Sequence, residues 1–139
     1  MTGDEIFAGV RECLVRALAC PAAQVRPAAR LVGDLGADSL DLLDLVFQLE
    51  QHFHIRITPR GIELRARAAL GDRPFEVEGV YTPEALAKLR EALPEIPVAE
   101  LAPGLTTQQL PRLFRVQTFV NLVARLLDEK ARGEKVPDA

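Results

Sequence analysis

Three strong helical stripes of apolar residues run along the chain, with a long stretch of mixed pattern before the last. Ile6, Val10, Leu14 and Ala17 recur at helical spacing, and Phe7 and Leu18 widen the stripe, so the pattern predicts a helix over about 4–20. Thr2 or Asp4 can cap it and Pro21 stops it. A loop with Pro27 and Gly33 follows, carrying Val25, Leu31, Val32 and Leu35. The second helix starts at Asp38 or Ser39 and runs to about His52. It is apolar on two sides: Leu42, Leu45, Val46, Leu49 and Phe53 form the wider stripe, expected to face the core. Leu40, Leu43 and Phe47 form another. The surplus stripe fits either a helix buried on most sides or a surface patch that meets a partner. A last helix is predicted over about 116–132, with Phe119, Val123, Leu126 and Leu127 inward and a frayed tail at about 133–139.

Residues 54–115, 62 in all, separate the last two stripes. Thr58 and Pro59 suggest a helix start, with Ile62, Ala66, Ala69 and Leu70 on its inner face. The same residues alternate from Ile62 to Arg67, as does Phe75–Tyr81, which leaves room for a short β-hairpin turning at 71–74. The cap and the alanine content favour the helix. Thr82, Pro83 and Pro94 bracket a clearer short helix, and another is expected over about 107–114. Ile62, Leu64, Phe75, Val77, Val80, Leu86, Leu89, Val98 and their apolar neighbours are too numerous for a disordered linker. The expectation is therefore a single domain of residues 1–139 with an ordered insertion at about 60–112. It should rest on the open side between the second and last helices, with the 83–93 helix among its ordered parts.

Composition narrows the function. A chain of 139 residues, 48% hydrophobic and 27% charged, suits a globular domain, and aromatics at 5% with no Trp leave the core to aliphatic side chains. A net charge of −3 with no basic run argues against nucleic-acid binding. No apolar run is long enough for a membrane span and no secretory signal opens the chain, so a cytoplasmic protein without stable membrane insertion is expected. Cys13 and Cys20 lie seven apart on the expected helix, roughly 10 Å along its axis, too far for a disulfide.

The chemistry centres on Ser39, the only serine, at the start of the second helix among Asp34, Asp38, Asp41 and Asp44. A nucleophilic serine needs a base within hydrogen-bond reach, usually a histidine. His52 lies thirteen residues on, roughly 20 Å along a continuous helix, and no Gly-x-Ser-x-Gly elbow exists. The aspartate spacing is not that of a calcium loop, and no metal site is expected. A helix N-terminus favours a phosphodiester, Asp38 can cap the same turn, and Gly36 frees the chain to present the serine outward. This is a serine for another enzyme to modify.

The run Leu35-Gly36-Ala37-Asp38-Ser39-Leu40-Asp41, followed by the apolar helix to Ile57, resembles the acyl carrier protein family. The likeness covers about residues 4–59 and resumes at about 113–130. It implies an all-α, acyl-carrier-like four-helix bundle. It also implies that Ser39 of the Asp-Ser-Leu motif carries 4′-phosphopantetheine, with Asp38 and Leu40 beside it. The arm would be installed by a phosphopantetheinyl transferase and would hold acyl groups as thioesters. The family's recognition positions fall on Leu40, Asp41, Leu43, Asp44 and Phe47, which takes in the surplus stripe and makes the carboxylates addresses for basic partners. The protein would then be a carrier and not an enzyme. Its partners would be acyl-transferring, ligating or condensing enzymes.

The chain departs from the family in the length of 54–115, where a much shorter connection is usual. In this it resembles specialised carriers with an enlarged segment there, some of which serve long-chain or hydroxylated acyl groups of lipopolysaccharide and others dedicated secondary-lipid pathways; a specialised fatty-acid, lipopolysaccharide or secondary-lipid pathway is the expectation. Two alternatives stay open: a peptidyl or polyketide carrier using the same serine, and a helical adaptor that is never modified.

Overall fold

The computed structural model describes residues 1–58 and 60–133. Five α-helices and one small hairpin are present among them: α1 (Gly3–Leu18), α2 (Ser39–Phe53), α3 (Gly61–Leu70), β1 (Glu76–Val77), β2 (Val80–Tyr81), α4 (Pro83–Ala92) and α5 (Val116–Ala131). This is the all-α architecture with a mostly helical insertion. The tail from residue 134 lies outside the described residues.

Local chemistry accounts for most boundaries. Thr2 and Glu5 form a reciprocal capping box at the start of α1. That helix closes at Leu18, two residues short of the expected end, because Ala19 turns left-handed (φ 52°) and Cys20 precedes a proline. Cys20 is therefore off the helix, and both cysteines are free thiols. Burial pushes the Cys13 thiol up to about 11. Thr82 caps α4 by accepting from Ala85 N (3.1 Å), with Pro83 in the first turn.

Three expectations need correction. Thr58 does not cap α3; its carbonyl accepts from Gly61 N (3.0 Å), and the helix begins only after Arg60, which sits at φ 62° with its guanidinium on Glu63. The expected first helical position, Pro59, lies outside the described residues. The hairpin does not turn at 71–74 but inside Phe75–Tyr81, where Glu78 and Gly79 both adopt positive φ (52° and 81°) and match strand twist. The helix expected over 107–114 is a single 3-10 turn, Leu110–Leu113. Thr107 N is drawn instead to Gly79 O, and Thr106 and Gln109 close a turn of their own.

α1 packs against α2 and α5, with Val10, Leu14, Leu45, Leu49, Val123 and Leu126 almost wholly buried between them. α3 and α4 pack on each other. Ile62, Phe75, Leu86, Leu89, Leu101 and Leu110 belong to the same buried cluster as the bundle core, so the insertion is layered onto it. Leu64, Val77, Val80 and Val98, counted among the apolar residues that make the insertion ordered, nevertheless stay exposed. At its end the insertion is fastened to the loop before α2. Leu31 N donates to Phe114 O (3.1 Å), Val116 N to Ala29 O (3.0 Å) and Gln117 N to Pro27 O (3.0 Å).

Candidate functional site

Ser39 is the first residue of α2 and is exposed. Asp38 precedes it as N-cap: Asp38 Oδ1 accepts from Asp41 N (2.8 Å), and Asp41 Oδ2 accepts from Asp38 N (3.1 Å). The box fixes the turn that holds Ser39 and leaves the positive end of the helix facing its hydroxyl. Asp41 thus has a structural duty that sequence reasoning did not assign to it. Before the turn, Gly36 adopts φ 72°, the left-handed conformation that lets the loop swing into the helix.

The two stripes of α2 separate in space. Leu45, Leu49 and Phe53 are buried, whereas Leu40, Leu43 and Phe47 are 73%, 63% and 53% exposed. Asp44 is also exposed and Asp41 half-buried, so the surplus stripe and a carboxylate lie on one open face beside Ser39.

Between these faces lies a cavity of about 530 Å³ that starts at Ser39. Leu42, Leu43 and Val46 line it on successive turns of α2, so it follows the helix for roughly 10 Å. α5 contributes Phe119 and Leu122. The chain between α2 and α5 supplies the rest: Ile57, Thr58, Arg60, Gly61, Ile62, Glu63 and Arg65 on one side, Thr107, Leu110, Pro111 and Phe114 on another. The charged residues among these are largely spent on each other. Arg60 binds Glu63 through Nε (2.9 Å) and a terminal nitrogen (2.6 Å), and Arg65 grips Glu129 of α5 with two bonds (2.6 and 3.0 Å). That guanidinium holds the Glu129 carboxyl below its ordinary value. With their heads engaged, the arginines offer mainly their stems to the space. The cavity can hold an apolar chain, and its size lies within the range of about 300–1,000 Å³ usual for small-molecule sites.

Residues 8–65 match the family model described as a phosphopantetheine attachment site. An acyl carrier protein of Thermotoga maritima is 40% identical over 60 residues, which span 43% of this chain and 74% of that protein. One from Helicobacter pylori is 44% identical over 52 residues, 37% of this chain and 67% of the relative. One from Solidesulfovibrio magneticus is 47% identical over 49 residues, 35% and 63%. The chain belongs to the acyl carrier protein family. No solved structure matches it.

Acyl carrier proteins work through a 4′-phosphopantetheine group, and the surroundings of Ser39 fit such a group. A free-standing hydroxyl at a capped helix start suits a phosphodiester, and an apolar cavity opens beside it for what the group carries. Among the described residues no cluster of His, Cys, Asp and Glu could hold a metal, and no helix is long and apolar enough to cross a membrane. Sequence reasoning placed the motif and the exposed stripe. It did not single out Arg60, Glu63, Arg65, Leu110 and Phe114 as cavity residues, since their only mark is an apolar or paired-charge pattern that any packed segment shares.

Proposed function

We propose that Ser39 is the attachment point of the 4′-phosphopantetheine arm, and that the protein carries acyl intermediates for enzymes of a specialised lipid-building pathway. One observation carries the reading: the chain's only serine stands exposed at the capped start of α2, at the mouth of an apolar cavity. Asp38 and Asp41 hold the turn in place, and the helix end favours the charge of a phosphodiester on Ser39 Oγ. The arm, once attached, offers a terminal thiol on which an acyl group travels as a thioester. Leu42, Val46, Phe119 and Leu110 offer the apolar lining that shelters part of such a chain. Leu40, Leu43 and Phe47, with Asp44 alongside, form the face that a phosphopantetheinyl transferase and acyl-transferring, ligating or condensing enzymes would read. Fatty-acid, lipopolysaccharide and secondary-lipid routes are the candidates. An apolar cavity favours these over a peptidyl carrier's polar cargo.

Incubation with coenzyme A and a promiscuous phosphopantetheinyl transferase, followed by intact mass measurement, tests the proposal. The wild type should gain one phosphopantetheine arm, and Ser39→Ala should gain none while keeping its helical circular dichroism. A mass gain that survives the substitution would refute the assignment, and no gain in either protein would leave an unmodified adaptor.

A further inference from the structure

The hairpin of the insertion is paired on both sides of β2. Val77 stands opposite Val80 in the β1–β2 register, and Val80 stands opposite Thr106 across its other edge. Directly opposed residues of an antiparallel pair share a face, so Val77, Val80 and Thr106 form one row across three chain segments. The neighbouring row takes the other face. Tyr81 stands opposite Glu76, and its N–H donates to Leu105 O (3.0 Å). Burial follows the alternation: Tyr81 and Leu105 belong to the core, whereas Val77 is 59% and Val80 37% exposed and Thr106 is half-buried. Three β-branched side chains that face away from the core do nothing to cover it.

The position of the row links it to the serine. Thr107, next to Thr106, donates from its N–H to Gly79 O of the hairpin turn (2.9 Å) and lines the large cavity together with Ser39. Leu43 of the exposed α2 stripe lines the same cavity. The hairpin and the α2 stripe are thus joined through the walls of the one space that starts at Ser39. They also share a pattern. Glu78 is exposed between Val77 and Val80, as Asp44 is between Leu43 and Phe47. Arg67, on the covered side, is taken up by Glu63 and Glu76.

Building on Ser39 as the attachment point, we propose that Val77, Val80, Thr106 and Glu78 are a second docking surface for the phosphopantetheinyl transferase that loads it. Chemistry selects this occupant. The enzyme must reach the Ser39 hydroxyl while holding coenzyme A, whose phosphates call for cations around its site. In the step itself Ser39 Oγ bonds to phosphorus, the pyrophosphate bond of coenzyme A breaks, the nucleotide half leaves as a bisphosphate and the hydroxyl proton is released. An apolar surface rimmed by cations complements valines flanked by Glu78 on one side and the α2 stripe with Asp44 on the other. A second copy of this chain would instead set carboxylates against carboxylates.

The test uses the full chain without its arm and the purified phosphopantetheinyl transferase of the same organism, with coenzyme A and intact mass as the readout. Val77→Thr with Val80→Thr keeps the branching of both side chains and removes their apolar ends. This double variant should melt with the wild type but raise the KM for the carrier about five- to tenfold at unchanged kcat. Glu78→Lys should raise KM at low salt and lose its effect as salt rises. Val98→Thr, at an exposed valine outside the row, should leave KM where it was. Titrating the transferase without coenzyme A into the nitrogen-15-labelled wild type should shift or broaden amides of 76–81 together with those of α2, a readout that needs no variant. Either an unchanged KM in the double variant or unmoved amides at 76–81 would overturn docking on the hairpin while leaving Ser39 as the loading site. Failure of the wild type to gain mass would overturn the carrier reading, and the docking surface with it.

Discussion

Gly9 of α1 and Phe53 of α2 meet so closely that no side chain fits between them: a Cβ on Gly9 would stand 2.5 Å from Phe53 Cζ and 2.9 Å from His52 Nε2. The Phe53 ring is buried and packs edge-on against His52, so it has little room to withdraw. Gly9→Ala should therefore cost about 1–2 kcal/mol in urea unfolding, the overpacking outweighing the helix-propensity gain of alanine. Phe53→Leu in the same background should recover part of the loss. A more stable Gly9→Ala protein would show that the contact gives way easily.

Asp41 and Asp44 should part company under mutation. Asp44 is exposed, and Asp44→Lys should change stability by less than about 0.5 kcal/mol while slowing loading by a transferase at low salt. The slowing should shrink as salt rises. Asp41→Lys should slow loading too, but also cost about 1 kcal/mol, because it removes the acceptor for Asp38 N. Loading rates unmoved by Asp44→Lys would mean that its charge is only a solvated one.

Glu129 ties α5 to α3 through Arg65 and is buried. Its folded carboxyl titrates below the unfolded one, so its contribution is complete above about pH 4.3 and fades as pH falls through the lower folded value. Glu129→Gln should cost about 1.5–3 kcal/mol at pH 7. The gap between wild type and variant should close towards pH 2. Urea melts across that range measure it, and a gap independent of pH would contradict the ion pair.

Loading should be felt by the walls of the large cavity. If a long acyl chain enters it, amides of α3 and of 107–114 should exchange more slowly with solvent than in the unloaded protein. α4, which packs on α3 and supplies none of the large cavity's lining, should change little. A response confined to α4 would place the chain elsewhere.

What could be read from the sequence follows from range. α1, α2, α4 and α5 are written in short-range terms: a cap such as Thr82, a Pro83 after it, an apolar stripe. The exposure of Leu40, Leu43 and Phe47 was legible as surplus, since one helix in a small bundle cannot bury apolar groups all round. The start of α3 was not, because Arg60 takes a left-handed conformation that its residue type does not announce. Nor was the fate of 107–114, where Thr107 is claimed by Gly79, 28 positions earlier. The cavity depends on such distant pairings and could not be drawn from local pattern.

The three backbone bonds that fasten 114–117 to 27–31 bear on how the protein tolerates change. They hold the return point of the chain beside the loop that leads to Ser39, whatever path it takes in between. The entropy of closing such an excursion rises only slowly with its length, by about 0.6 kcal/mol per doubling. The stretch between Phe53 and Phe114 can therefore vary in length at little entropic cost, provided that what replaces it again covers the core it shares with the bundle. If the large cavity shelters cargo as proposed, a segment of different length there would recast that space while the serine, its cap and the exposed stripe of α2 keep their positions.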